Sequence, residues 1–270
     1  MFETPWIAAL SALFLWWFAT GILLWRVHSA DRSGPDQHVW SVILTLPLLG
    51  AGVLGVHGTL GDPSPAGVWF AFLSALAIWA WIELAFLSGV ITGPNTRAAP
   101  PDAAGFDRFR AAFLTIAWHE AALVAALAFL VASGIGAENQ FALGTFLLLF
   151  AARISAKLNL FLGVPRIHTD FLPSPLAHLA SHFRKAPVTW FFPASVTLLT
   201  LALGCFLERL WSAATPGATI GFTLLSALSA LALLEHWFMV WRVRDDKLWR
   251  WMIPAPRSTT KRLRGNPNGL

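Results

Sequence analysis

Glu83, His119, Glu120, Arg153, Lys157, Glu235 and His236 all stand inside long apolar stretches of this chain. Taking such groups out of water costs several kcal/mol each unless they pair or bind something, so together they mark where chemistry is to be sought. Arg153 and Lys157 are four residues apart and share one helix face, where like charges repel unless carboxylates stand opposite. Glu83, Glu120 and Glu235 are the candidates. Asn159 falls on a different face and is placed to hydrogen-bond a neighbouring helix or a ligand. His119 and Glu120 are adjacent, as are Glu235 and His236, so the two members of each pair point about 100° apart around their helix. One member of each can face a site while the other faces a neighbour.

Three chemistries are open to such a set. It can be an ion-pair network that fixes helix packing. It can hold a cofactor, either a metal ion or a magnesium tetrapyrrole, on imidazole and carboxylate ligands. It can also relay protons or ions, for which one layer of charge is thin support. In the cofactor reading Glu83, His119, Glu120, Arg153, Lys157, Asn159, Glu235 and His236 line the site, and His119 and His236 converge as metal ligands. Further imidazoles, His168, His178 and His182, follow in VPRIHTDFLPSPLAHLASHFRK beside Asp170 and are positioned to cap that site. Ser174-Pro175 opens a short interfacial helix with Leu176, Leu179 and Phe183 as its apolar stripe. In an α-helix His178 and His182 would stack on one side, a spacing that can ligate a metal.

The elements that position these residues are membrane helices. Hydrophobic residues make up 56% of the chain and charged ones 12%, with 15 Trp, 21 Phe and no Tyr. Apolar runs of about 20 residues, each long enough to cross ~30 Å of hydrocarbon, recur along the chain. Seven spans are predicted at 6–25, 39–59, 66–92, 111–133, 141–163, 188–206 and 217–241, an all-α polytopic bundle. The first has no basic residue before it and no small-residue cleavage pattern after it, so it is expected to persist in the mature protein. Residues 1–254 read as the transmembrane domain and 255–270 as a basic tail.

Basic residues set the expected orientation. Sixteen Lys and Arg fall in the connections after the odd-numbered spans and in the tail, against Arg209 alone on the other side. The N-terminus is therefore expected in the periplasm and the C-terminus in the cytoplasm. The net charge of +5 reflects this topology, and the tail Lys261-Arg262-Leu263-Arg264 is suited to anionic lipid and not to nucleic acid. Counted from the cytoplasmic end of each predicted span, the intramembrane ionisable residues lie roughly 5–10 residues deep, in one layer. Cys205, the single cysteine, falls in the sixth span and reads as a buried inert thiol, with no disulfide or thiolate zinc motif. There is no Rossmann glycine pattern, P-loop or nucleophile elbow.

The stretch ARISAKLNLFLGVP at 152–165, the later FLPSPLAHLASHF, SGVITGP at 88–94, the pair His119-Glu120, the opening LWWFATG and the closing LEHWFMV with LWRW resemble the photosynthetic complex assembly proteins of the PuhE type. The resemblance runs from residue 10 to 251 and is most specific in ISAKLNLFLGVP. It implies a multi-pass protein of the bacterial inner membrane, cytoplasmic or intracytoplasmic, with reaction-centre or light-harvesting subunits and the lipid bilayer as partners. It names a process and no catalytic residue. An assembly factor that handles pigment, with bacteriochlorophyll as the cofactor the resemblance implies, is therefore the expectation. The alternative is a membrane-embedded, metal-dependent oxidoreductase with a His/Glu site acting on a tetrapyrrole, carotenoid or quinone from the cytoplasmic side.

Overall fold

A computed structural model describes residues 4–167, 169 and 172–241. Helices α1 (Pro5–Ser33), α2 (Asp36–Leu44), α3 (Leu46–Thr59), α4 (Pro65–Leu87), α5 (Gly105–Phe113), α6 (Ala117–Gly134) and α7 (Phe141–Leu162) precede a 3-10 helix (Ser174–His182), then come α8 (Phe191–Trp211) and α9 (Pro216–Phe238). Among the described residues seven spans are long and apolar enough to cross a membrane, with α2 and α3 together forming the second. This all-helical architecture fits a multi-pass membrane bundle, in which every backbone group must be paired within its own segment. His168, Asp170 and the tail from 242 onward lie outside the described residues.

Local chemistry sets the helix starts. Ser64 and Thr215 each stand before a proline, and their hydroxyls accept from the backbone N–H of Gly67 at 3.1 Å and Ala218 at 3.2 Å. Proline at the first helical position loses no hydrogen bond, so cap and proline together start α4 and α9 at the same end of the bundle. The second span is interrupted at Thr45, because Pro47 has no N–H and its ring clashes with the carbonyl one turn back. At that break the Val42 carbonyl accepts from the Thr45 hydroxyl at 3.1 Å and from the Trp81 indole at 3.2 Å.

Helix α4 is central. One of its faces packs Val68, Trp69 and Phe72 against Ile220, Leu224 and Leu228 of α9. The other packs Ala71, Ala75, Ile78 and Ile82 against Val56 of α3, Leu123 and Leu130 of α6 and Phe146 of α7. Helices α1 and α8 lie outermost and expose large apolar side chains such as Phe14, Ile22, Leu198 and Leu201, as surfaces that face lipid do. Cys205 follows from this: the expectation of a buried thiol is corrected, since the residue is exposed on the outer face of α8.

Two differences from the predicted spans shape the polar layer. Helix α4 stops at Leu87 and not at residue 92, because Gly89 turns the chain at φ 75°. The predicted fourth span divides into α5 and α6, so His119 and Glu120 sit in the first turn of α6 and not deep within a helix. The polar layer survives, but the residues 88–94 loop, the 3-10 helix and α5, and not further helical turns, form its outer cover.

Candidate functional site

The polar layer is built at the end where α4, α7 and α9 finish and α6 begins. Arg153 Nη2 donates to Glu83 Oε2 at 2.8 Å, and the Lys157 ammonium donates to Glu120 Oε1. The two cations one turn apart on α7 are thus met by carboxylates on α4 and α6. His119 is fully buried with Nε2 3.8 Å from Glu83 Oε1, and its ring lies against Phe86 at 4.2 Å between centroids. Lys157 Nζ sits 5.7 Å from the same phenyl ring. Glu83, His119, Glu120, Arg153 and Lys157 therefore form one cluster around Phe86.

Asn159, His236 and Glu235 have other places. Asn159 Nδ2 donates to the Ser155 carbonyl and the Ser195 hydroxyl, both at 3.0 Å, and so joins α7 to α8. The His236 ring donates from Nδ1 to the Ala232 carbonyl at 2.8 Å, leaving Nε2 to accept from the Ser155 hydroxyl at 2.9 Å. Residues 153, 155, 157 and 159 alternate at every second position. Since two residues turn a helix by about 200°, Arg153 and Lys157 face the ion-pair cluster while Ser155 and Asn159 face α8 and α9. That explains the polar alternation in ARISAKLN.

The convergence of His119 and His236 on a metal is accordingly corrected: His236 spends both nitrogens on protein groups, from the opposite side of α7. Among the described residues no three of His, Cys, Asp or Glu are grouped to hold a metal ion. Glu235 lines a second cavity of about 290 Å³ with Glu83 and Arg153, near Trp16 and Thr20 of α1 and Trp79 of α4.

The loop histidines also differ from expectation. The segment 174–182 is a 3-10 helix with three residues per turn, so positions three apart align and positions four apart do not. Leu176, Leu179 and His182 make the buried face, and His178 is turned away from it. His182 pairs Nε2 with the Arg97 carbonyl at 3.1 Å. Burial, reinforced by neighbouring His182 and opposed by a hydrogen bond with the Pro175 backbone, holds the His178 ring below the usual histidine range. Asp31 tethers the start of this helix, accepting from Ser174 N at 3.2 and 3.3 Å and standing 3.1 Å from His38 Nε2.

The loop after α4 locks these pieces together. The Thr92 carbonyl accepts from the backbone N–H of Trp118 at 2.9 Å and His119 at 3.0 Å, satisfying donors that the first turn of α6 leaves free. A Cβ on Gly93 would lie 2.1 Å from the Leu114 carbonyl oxygen, and one on Gly89 would lie 2.5 Å from Pro175 Cβ. Only glycine lets the loop lie between α6 and the 3-10 helix.

These walls enclose a chamber of about 740 Å³. Phe86, Phe109, Phe113, Phe150, Phe161 and Phe183 line it, with Glu120, Lys157, Arg153 and His182 among its few polar groups. Arg153 lines both cavities. Glu120 Oε2 and both His119 nitrogens are buried without a hydrogen-bond partner.

The family described as "Protein of unknown function (DUF3623)" matches residues 2–260. The chain belongs to the DUF3623 family. It is similar to the "Uncharacterized 30.4 kDa protein in puhA 5'region" of Rhodobacter capsulatus, with 54% identity over 256 residues, covering 94% of this chain and 92% of that one. No solved structure matches. In this DUF3623 chain the residues that the sequence reading missed are the wall residues of α5, Phe109 and Phe113. Phe106, Phe109 and Phe113, with Asp107, Arg108 and Arg110 between them, form a short amphipathic pattern that the predicted span boundary at residue 111 cut in two. Arg108 anchors this helix, donating to the Phe161 carbonyl at 2.8 Å and lying 4.1 Å over the Phe161 ring.

Proposed function

We propose that this protein is an assembly factor of the bacterial inner membrane, helping photosynthetic reaction-centre and light-harvesting complexes to form and handling pigment in its chamber. The observation that carries the reading is convergence. Glu120 of the His119-Glu120 pair, ISAKLNLFLGVP and the 3-10 helix, which resemble the PuhE-type assembly proteins and are far apart in sequence, line one chamber, and SGVITGP packs behind its wall against the start of α6 and the 3-10 helix. The relative's name supports the reading, since it places that protein's gene beside puhA, a photosynthesis locus. The excess of basic residues in the connections at that end supports a chamber on the cytoplasmic side. Little mass lies outside the spans, so contacts with partner subunits are made within the bilayer and through short loops.

The test is complementation. A Rhodobacter capsulatus strain lacking the 54% identical relative is expected to lose part of its near-infrared reaction-centre and antenna absorption, and this chain to restore it. An unchanged spectrum in the deletion strain overturns the reading.

A further inference from the structure

We propose that the 740 Å³ chamber binds a flat, lipid-soluble macrocycle of the tetrapyrrole class, taken up sideways from the bilayer, with the polar edge of the ring held by Lys157 and Glu120. The inference deepens the assembly reading and rests on it for the use to which the site is put.

The chamber has the size of a small-molecule site, which typically spans about 300–1,000 Å³, and not of a packing void. Its aromatic walls come from separate elements, Phe86 on α4, Phe109 and Phe113 on α5 and Phe161 on α7, and phenyl faces and edges suit a broad conjugated ring. A single six-membered ring would leave most of that space unfilled.

One part of the wall is polar. Glu120 is 8% exposed, and its Oε2 faces no donor. The Lys157 ammonium carries three N–H groups, with Glu120 as its hydrogen-bond partner among the described residues. An acceptor and a spare donor therefore stand side by side in an apolar chamber, where an unmatched polar group is costly. They complement a ring edge that offers a carbonyl oxygen together with an O–H or N–H.

The route in is apolar. Phe109, Phe113 and Val124 line the chamber and are also exposed on the outer surface, at 41%, 44% and 53%. They lie on α5 and α6, so the mouth opens where those helices meet lipid. A water-soluble ligand such as a nucleotide would have to cross that apolar rim. Arg108, which ties α5 to the end of α7, holds one side of the mouth in place.

Full-length protein in lipid nanodiscs, titrated with pheophorbide a and read by quenching of its tryptophans, tests the proposal. Saturable binding of one pheophorbide per chain is expected. The double variant Lys157→Met/Glu120→Leu, which removes both charges together, is expected to weaken binding by about tenfold, as loss of buried hydrogen bonds implies. Arg209→Gln, at the far end of α8, should bind as the parent does. Non-saturable partitioning, equal affinity in the double variant, or saturable binding of decylubiquinone in place of pheophorbide would each overturn the macrocycle assignment. Restored complexes in the complemented strain with no pheophorbide binding sink this inference and leave the assembly reading standing. Saturable binding by a chain that fails to complement does the reverse.

Discussion

Lys157 and Glu120 illustrate how much a single buried pair constrains. Replacing Lys157 by Met strands the Glu120 carboxylate, which is 8% exposed, and is expected to cost about 3–5 kcal/mol. Adding Glu120→Leu should recover most of that loss, as read by denaturation midpoints in mixed micelles. A double variant no more stable than Lys157→Met alone would refute the pairing. Arg153→Met should cost less, because the Arg153 side chain is 37% exposed. The need for carboxylates opposite these two cations was legible in the sequence. Which carboxylate met which cation was not, because only helix packing decides whether Glu83, Glu120 or Glu235 lies across from a given face of α7.

Elements between the spans carry the site's shape. Gly93→Ala places a methyl 2.1 Å from the Leu114 carbonyl oxygen, a backbone atom that cannot rotate away, so the loop must shift at a cost of about 1–3 kcal/mol. Gly50→Ala meets nothing within 4 Å and is the matched control; equal thermal stability of the two variants would contradict the close approach. The 3-10 helix has a pH signature of its own. Since His178 is held below its ordinary value, the folded loop favours the neutral ring. Its contribution to stability is complete above the ordinary histidine pKa of about 6.5 and declines as the pH falls below that value. Hydrogen-exchange protection factors of residues 172–186, which divide out the intrinsic pH dependence of amide exchange, should therefore fall on acidification and do so less in His178→Gln. Protection independent of pH would remove His178 from the account. The pattern at 174–183 did announce a short helix, but not its pitch; burial of Leu176, Leu179 and His182 at every third position favoured the tighter turn.

Across the whole molecule, the end opposite the chamber is tied together by Asn139, whose Nδ2 donates to the Asp62 carbonyl at 2.8 Å. Residues 62 and 138 thus belong to one side of the bundle. Reporters inserted at Asp62 and at Glu138 should report the periplasm, and one fused after Leu270 the cytoplasm. Opposite results at Asp62 and Glu138 would break the seven-span bundle, and a periplasmic C-terminus would reverse the orientation read from the basic residues.

The number of spans, their approximate ends and the presence of a polar layer were all decided by sequence alone. Runs of apolar residues must cross hydrocarbon wherever they pack, and charges within them must find partners. The split of residues 105–134 into α5 and α6, the exposed Cys205, the separate place of His236 and the chamber itself were decided only by tertiary structure. Each depends on which helix faces meet and which loops fold over them. Hydropathy along the chain averages over faces, and it carries no record of contacts such as that between Gly89 and Pro175 across more than eighty residues.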